Sequence, residues 1–208
     1  MVDLRVIDDP ASASVALDPV RSRLLSELRT PVSAATLAGR MGLPRQKVNY
    51  HLRTLESHGL VQVDSTKQWG GLTERRLVAT ASSYVVSPSA LGPVAPDPAR
   101  GMDRLSASYL VALAARAVRE VGGLLRKSEE LKKRLATLSI DTEVRFRSAE
   151  DRAAFSAELT AAVAALVSRY HDESASGGRQ HRLIIGAYPT PGQTKEKETT
   201  QTKEKETI

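Results

Sequence analysis

Six side chains able to bond nucleic acid are crowded into the nine residues of "RQKVNYHLR" (45–53). An asparagine or glutamine amide can pair with adenine through two hydrogen bonds, and an arginine can pair in the same way with guanine. Four of the six are therefore expected to read bases, namely Gln46, Asn49, Tyr50 and Arg53. The other two, Arg45 and Lys47, are expected at phosphates, which give affinity without base specificity.

These side chains need a helix that turns them away from the rest of the protein. A helix from about Arg45 to His58 would do so. A rotation of about 100° per residue places Val48, Leu52 and Leu55 on one inward stripe. An outward polar face is more often simply solvated. Binding in a DNA groove is favoured here because the outward positions lack acidic residues and because of the elements on either side.

The flanking segments predict a winged helix-turn-helix over residues 18–87. Asp18, followed by a proline, starts a first helix, and Ser33 caps a second. Gly42 and Gly59 end the second and third helices. The alternating runs "LVQVD" and "ERRLVATA", joined by "STKQWGGLT", predict a β-hairpin. In this arrangement the outward face of the third helix enters the major groove of DNA.

The same region carries further basic residues that are expected to meet phosphates, namely Arg21, Arg40, Lys67, Arg75 and Arg76. The single tryptophan, Trp69, lies at the expected hairpin tip. There it either inserts into a minor groove or packs against the C-terminal part of the chain.

The stretch "VSAATLAGRMGLPRQKVNYHLRTLESHGLVQV" resembles the helix-turn-helix of ArsR-like winged-helix regulators. The positions that carry the resemblance are Val48, His51, Leu52, Leu55, Gly59, Leu60 and Val61. The resemblance covers about residues 18–87 and implies a dimeric DNA-binding regulator, usually a repressor released by an effector. Asn49 stands where the family often has serine, and the cysteine pair of metal-sensing members is missing. The chain would thus be a long, cysteine-free variant with an added C-terminal region. Its signal would be either an unidentified small-molecule effector other than a metal, or no small molecule at all.

Composition narrows the class of protein further. The 208 residues are 41% hydrophobic and 26% charged, with a formal net charge of +6, which favours a polyanionic partner. Without cysteine there are no disulfides or thiolate metal sites. No run approaches the ~20 apolar residues of a membrane span, and the acidic start is unlike a signal peptide, so we predict a cytoplasmic protein.

No enzyme, metal site or cofactor is expected. His171, Asp172, Glu173 and His181 are the residues that invite such a proposal. They lack the three-ligand spacing of known metal sites, and the first three lie at an expected helix end, where solvated polar residues are common.

The expected organisation is an α+β chain of five segments. A short arm (1–17) precedes the winged domain (18–87), and a Pro-rich linker (88–102) follows it. A mainly helical domain for dimerisation and possible effector binding (103–190) comes next. The tail (191–208) contains "TKEKET" twice and is expected to be disordered.

The C-terminal domain begins with a seven-residue apolar rhythm that predicts a dimerisation helix, with a bend near Gly122. The large residues of this stripe are Leu110, Val121, Leu124, Leu131, Leu135 and Leu138. The alternative is a helix packed inside its own chain. Next come a strand "TEVRF" (142–146), a helix of about 24 residues capped by Ser148, and a strand "RLIIGAY" (182–188). The buried face of this helix is predicted from its apolar residues at helical spacing, namely Phe155, Leu159, Ala162, Val163, Leu166 and Tyr170.

Together these patterns predict a homodimeric, sequence-specific transcriptional repressor. It would bind double-stranded DNA at an inverted repeat through helix 45–58 and the hairpin at 60–80. The alternative is a winged-helix interaction or assembly module without specific DNA binding. The polar outward face of the third helix argues against that alternative, because protein interfaces favour aromatic and large apolar side chains at their centre.

Overall fold

The structure, a computed structural model, describes residues 1–69, 72–100 and 103–190, with the backbone alone at Trp69 and Leu72. The chain divides into two units, Met1–Arg147 and Ser148–Ile208. The first unit contains, in order, β1 (Val2–Ile7), α1 (Pro10–Leu17), α2 (Pro19–Glu27), β2 (Val32–Ser33), α3 (Ala34–Met41), α4 (Arg45–Ser57), β3 (Val61–Trp69), β4 (Leu72–Ala79), β5 (Ala81–Val86), a 3-10 helix (Pro88–Val94) and α5 (Ala107–Glu130).

Helices α2, α3 and α4 with the β3–β4 hairpin form the predicted winged helix-turn-helix. The short strand β2 pairs antiparallel with β4 and completes a three-stranded sheet in the order β2-β4-β3. The hairpin is longer than its two alternating runs, since the register continues from Val61–Ala79 out to Trp69–Leu72. The fold class is therefore confirmed for this part of the chain.

The residues that were predicted to cap or end these three helices do so in the structure. The Asp18 carboxylate accepts hydrogen bonds from the backbone N–H groups of Val20 and Arg21, each at 3.0 Å. Ser33 caps α3 through the N–H of Thr36. Gly42 and Gly59 follow α3 and α4 with φ of 64° and 65°, a left-handed conformation that glycine adopts without steric cost.

The core of this domain is aliphatic. Leucines from all three helices and from the start of β3 meet there with almost no solvent exposure, namely Leu24, Leu28, Leu37, Leu55 and Leu60. Since each buried leucine contributes roughly 1.5–3 kcal/mol of hydrophobic free energy, this cluster fixes the orientation of α4 relative to its neighbours.

Residues 1–17 do not form the predicted arm. β1 pairs in parallel with β5, from Val2–Ala81 to Ile7–Val86. α1 buries Ala13 and Val15 in the same core. The side chain of Asp9 caps α1 by accepting from the N–H of Ser12 at 2.7 Å. The strand was missed because its partner lies about 80 residues away in the sequence, and only the tertiary structure brings the two together.

The described part of the predicted Pro-rich linker, residues 88–100, is packed against the first unit. Pro88–Val94 forms a 3-10 helix that begins at the fully buried Ser87, and Ala95 is buried. α5 contacts this 3-10 helix and β1, so α5 belongs to the first unit. The predicted domain boundary near residue 103 is therefore wrong.

α5 is continuous through Gly122, where a bend was predicted. A Cβ atom built at Gly122 would lie 2.8 Å from Cβ of Val6, closer than side-chain atoms approach each other. The glycine therefore lets α5 contact β1 and does not serve as a hinge. The helix ends at Glu130, and Leu135 and Leu138 of the predicted dimerisation stripe lie beyond it, without regular secondary structure.

The second unit contains α6 (Ala149–Tyr170), which the Ser148 hydroxyl caps as predicted by accepting from the N–H of Asp151 at 3.1 Å. The predicted strands on either side are wrong, because residues 142–146 and 182–188 form none. Alternation alone does not form a strand, and the strands of the described chain, all between Val2 and Val86, pair among themselves. The predicted buried face of α6 holds no buried residue. Among the described residues, no helix is long and apolar enough to cross a membrane.

Candidate nucleic-acid interface

The two faces of α4 are divided as the angular pattern predicts. Val48, Leu52 and Leu55 are 0%, 2% and 0% exposed. On the opposite side, four polar side chains are exposed, namely Arg45, Gln46, Lys47 and Arg53. Tyr50 is 64% exposed, and Asn49 is half-buried at the edge of this face. We call the six residues Arg45, Gln46, Lys47, Asn49, Tyr50 and Arg53 the outward face of α4.

A groove separates the outward face of α4 from the hairpin. Arg45, Asn49 and Arg53 line it from α4, and Thr73 and Arg75 line it from β4. Two acidic residues, Glu56 and Glu74, also line it. Glu56 lies 2.5 Å from the Arg75 guanidinium, so this pair joins the wing to the end of α4 across the groove.

The predicted phosphate-binding residues fall into two groups. Arg45, Lys47 and Lys67 are exposed, and no described residue forms an ion pair with them. The others have partners inside the protein. Arg40 lies 3.3 Å from Glu27, and the half-buried Arg76 donates to the Pro31 carbonyl at 2.6 Å.

Arg21 is largely enclosed, with 15% of its side chain exposed. Its Nε donates to the Val15 carbonyl at 2.7 Å, and its guanidinium lies 3.6 Å from Asp18. It therefore holds α1 against α2 and does not face the outward side of α4. The sequence pattern missed this role because it depends on α1, which lies in the segment predicted to be an arm.

A second groove gathers Lys67, Arg40 and Arg76 beside the turn at Thr30 and Pro31. Positive charge thus continues from the helix-turn-helix to the wing, with Glu74 as the acidic neighbour. The side chain of Trp69, predicted at the wing tip, lies outside the described residues, as does the predicted disordered tail at 191–208.

His51 lies next to the outward face but points inward, with 7% exposure. Neither ring nitrogen has a hydrogen-bond partner in the described part of the chain. Burial lowers the pKa of this imidazole below its usual value. The nearby cations Arg21 and Lys47 lower the pKa further, while Asp18 opposes the shift. The ring meets Tyr50 edge-on at 5.4 Å between centroids, so the neutral imidazole supports the base of the Tyr50 side chain.

The predicted dimerisation stripe lies on the outer side of α5. Ala112, Ala115 and Gly122 form the buried side of this helix. Val121 and Leu124, on the other side, are 41% and 48% exposed. Leu131, just past the helix end, is 55% exposed, and Leu110 is half-buried. α5 therefore packs within its own chain through one face and leaves the predicted stripe mostly exposed.

Arg5 is a residue of the site that the sequence pattern did not indicate. It extends from β1 and donates a hydrogen bond to the carbonyl of Gly59, two residues past the C-terminal end of α4. No local signal identifies it, because the contact spans 54 positions of the sequence. Among the described residues there is no group of three or more side chains that could hold a metal ion.

These features define a winged helix-turn-helix protein. Residues 16–64 match the family described as "Helix-turn-helix domain". Among solved structures, the chain is similar to the transcriptional regulator HlyU from Vibrio vulnificus CMCP6. The identity is 18%, the match covers 35% of this chain and 71% of that chain, and the TM-score is 0.29. No curated protein matches the chain. The narrower resemblance to ArsR-like regulators stays a prediction.

Proposed function

We propose that the protein is a sequence-specific, DNA-binding transcriptional regulator whose outward face of α4 enters the major groove. The observation that carries this proposal is the exposed outward face of α4, which holds no acidic residue and lies beside a groove that runs to the wing. In winged-helix proteins that bind DNA, this helix presents its outer side chains to base edges.

Burial and contacts support different roles for the residues of the site. Gln46, Tyr50 and Arg53 are exposed and can reach base edges, while Asn49 lies lower, at the side of the groove. Arg45, Lys47 and Lys67 carry charges that the described residues do not neutralise by ion pairs, so they are the strongest candidates for phosphates. Arg40, Arg75 and Arg76 would have to share or exchange the internal partners they already have.

Substitution of the outward face tests the proposal. Arg53→Ala and Tyr50→Ala should each weaken binding to a specific duplex by ~1–3 kcal/mol, because each removes a base contact. Binding constants for the specific duplex and for a random duplex, measured by fluorescence anisotropy, give the comparison. Arg23→Ala is the matched control, since Arg23 is an exposed arginine on α2 and not on α4.

The alternative role as a protein-interaction module rests on the exposed ring of Tyr50, an aromatic residue of the kind that protein interfaces use. In that case the wild-type protein would bind specific and random duplexes equally weakly, and the two α4 variants would change neither value. This result would contradict the proposal of DNA recognition.

We infer that the regulator acts as a homodimer through the outer side of α5. Val121 and Leu124 leave apolar area in water there, while the other side of the helix is covered by its own chain. Two α4 helices related by a two-fold axis would require an inverted repeat with half-sites ~10 bp, or a multiple of that, apart. Repression, release by a small-molecule effector and a cytoplasmic location are further parts of this proposal, and a promoter–reporter assay tests the first of them.

A charge placed on the outer side of α5 tests the dimer. Leu124→Glu should convert the dimer to a monomer, because it would bury a carboxylate in an apolar contact. Sedimentation velocity measures the change. Glu129→Lys, a charge reversal at an exposed position about 140° around the helix from Leu124, should leave the dimer intact. Equal sedimentation of Leu124→Glu and the wild type as dimers would contradict the proposed interface.

A further inference from the structure

The C-terminal end of α4 is held by groups from three other segments. The helix closes with the N–H of Gly59 donating to the Glu56 carbonyl and the N–H of Leu60 donating to the Leu55 carbonyl, both at 2.9 Å. Gly59 takes the left-handed backbone of this closure, with φ of 65°, and its own carbonyl is not an acceptor in it. That carbonyl accepts one hydrogen bond from the guanidinium of Arg5 and one from the hydroxyl of Thr80 at 3.0 Å.

The neighbouring carbonyl of Leu60 is held by the same group of side chains. It accepts from the hydroxyl of Tyr84 at 2.8 Å and from the N–H of Thr80 at 3.0 Å. Arg5 and Tyr84 are paired in register across β1 and β5. The end of α4 is therefore tied to the two-stranded sheet by a set of hydrogen bonds in which Arg5 supplies the positive charge, the sign favoured at a helix C-terminus.

The other face of β1 is held by α5. Successive residues of a strand point to opposite sides, and Val6, next to Arg5, contacts Gly122 of α5. At the end of the strand, the Arg126 guanidinium pairs with Asp8 and approaches the Val6 carbonyl at 3.5 Å. β1 thus contacts the end of α4 through Arg5, and it contacts α5, the proposed dimerisation helix, through Val6.

We propose that β1 is the element that positions α4 for DNA recognition, with Arg5 as the positioning residue and α5 as the support that holds the strand. The proposal rests on the proposed function, because it assumes that α4 reads DNA. Side chains that read bases must be held within about 0.5 Å of their productive position by packing and hydrogen bonds behind them. Arg5 supplies such a bond at the end of α4 and does not itself belong to the outward face.

Removing the guanidinium of Arg5 tests the positioning role. Arg5→Met should weaken binding to the specific duplex by about tenfold, because a loosened α4 that holds the binding-competent position only about one tenth of the time lowers the apparent affinity by that factor. Binding to a random duplex should stay unchanged, and so should the slope of log K against log salt, since no phosphate contact is lost. Arg5→Lys, which keeps the charge but not the planar guanidinium, should recover part of the affinity.

Arg134→Met is the matched control, because it removes one positive charge at an exposed arginine outside the helix-turn-helix. It should bind the specific duplex as the wild type does. Arg126→Met cuts the link between α5 and Asp8 and should weaken specific binding in the same way as Arg5→Met, by a smaller factor. If Arg126→Met leaves specific binding unchanged, α5 does not support β1 and that half of the proposal is wrong.

Two results would overturn the role of Arg5. A salt slope that decreases by about one unit in Arg5→Met would make Arg5 a direct phosphate contact. An unchanged affinity for the specific duplex, together with a lower melting temperature, would make Arg5 a residue that only stabilises the fold.

Amide hydrogen exchange in the DNA-free protein separates this proposal from the proposed function. The amides of Gly59 and Leu60 donate the hydrogen bonds that close the C-terminal end of α4. Arg5→Met should loosen this end of the helix and so raise the exchange rates of both amides. If the wild type shows no preference between specific and random duplexes, the proposed function fails, and these exchange rates still test the positioning. If the Gly59 and Leu60 amides exchange equally fast in Arg5→Met and in the wild type, this result alone would refute the positioning of α4 by Arg5.

Discussion

α4 and α6 have similar sequence patterns and different surroundings. Each carries an apolar stripe at helical spacing, and each was predicted to bury it. In α4 the stripe of Val48, Leu52 and Leu55 is buried under α2, α3 and β3. In α6 no residue is buried, and Leu166 and Tyr170 are 53% and 76% exposed. A helical period therefore identifies the face that needs covering, and other parts of the chain decide whether it is covered.

The difference between the two helices follows from how near in sequence their partners are. α4 follows α3 after a short turn and precedes β3 directly, so local signals bring its neighbours to it. Within the described part of the second unit, α6 has no second helix or strand beside it in the sequence. Most of the stability of a helix in a protein comes from packing its apolar face, so substitutions in the two stripes should change the free energy of unfolding by very different amounts.

The largest expected effect comes from truncating one leucine in the apolar stripe of each helix and comparing the two losses of stability. Leu55→Ala should lower the free energy of unfolding by ~2–5 kcal/mol, because Leu55 is 0% exposed and a cavity would remain. Leu166→Ala should change it by less than about 0.5 kcal/mol, as exposed positions do. Urea unfolding followed by circular dichroism gives both values. Equal losses for the two variants would show that the stripe of α6 is buried as deeply as that of α4.

A smaller effect is expected where α5 meets β1, at the pair Gly122 and Gly123. Gly122→Ala should lower the free energy of unfolding by ~1–3 kcal/mol, because the new Cβ would overlap Val6 at 2.8 Å. Gly123→Ala should raise it by ~0.5–1 kcal/mol, because its nearest atom is 3.9 Å away at the end of a flexible arginine and alanine favours a helix. Thermal unfolding of the two variants measures the contrast. A stabilised Gly122→Ala would mean that α5 does not pack closely on β1.

The smallest effect concerns pH and again compares the two helices. Burial lowers the pKa of His51 in the folded protein, so the unfolded chain binds the proton more readily. The stability contributed by the neutral imidazole is therefore complete above the unfolded pKa of about 6.5 and decreases as the pH falls below that value. Urea unfolding at pH 7.5 and pH 5.5 measures the loss.

His51→Leu should make the stability less dependent on pH over this interval, and should cost little because the imidazole nitrogens have no partners in the described chain. The matched variant Leu166→Ala, on the exposed stripe of α6, removes no titratable group and should keep the wild-type pH profile. An identical loss between pH 7.5 and 5.5 in His51→Leu and the wild type would assign the pH dependence to other groups.

Local signals account for the parts of the fold that the sequence predicts correctly. Asp18, Ser33, Gly42 and Gly59 act on residues within a few positions of themselves, so the limits of α2, α3 and α4 follow from the sequence. β1 pairs with β5 across about 80 residues, and no local pattern specifies that pairing. For the same reason α5 was assigned to a separate domain, since its contact with β1 joins Gly122 to Val6.

In the candidate site, too, some features follow from the local sequence and others depend on tertiary contacts. The exposure of Gln46, Tyr50 and Arg53 follows from helix geometry alone. The internal partners of the arginines do not, because the Arg76 contact with the Pro31 carbonyl and the Arg75 pair with Glu56 depend on how the wing packs. Residue type indicates which side chains are able to bind phosphate, and tertiary contacts decide which of them are available.

The central claim, that the outward face of α4 reads DNA sequence, is tested most directly by selection from a random duplex library. The full chain and an Arg53→Ala, Tyr50→Ala double variant are each used to recover bound duplexes, which are then sequenced. We predict that the wild-type chain enriches one motif arranged as an inverted repeat and that the double variant loses the enrichment while keeping salt-dependent binding to any duplex. Absence of an enriched motif with the wild-type chain, or the same motif with both proteins, would contradict this claim.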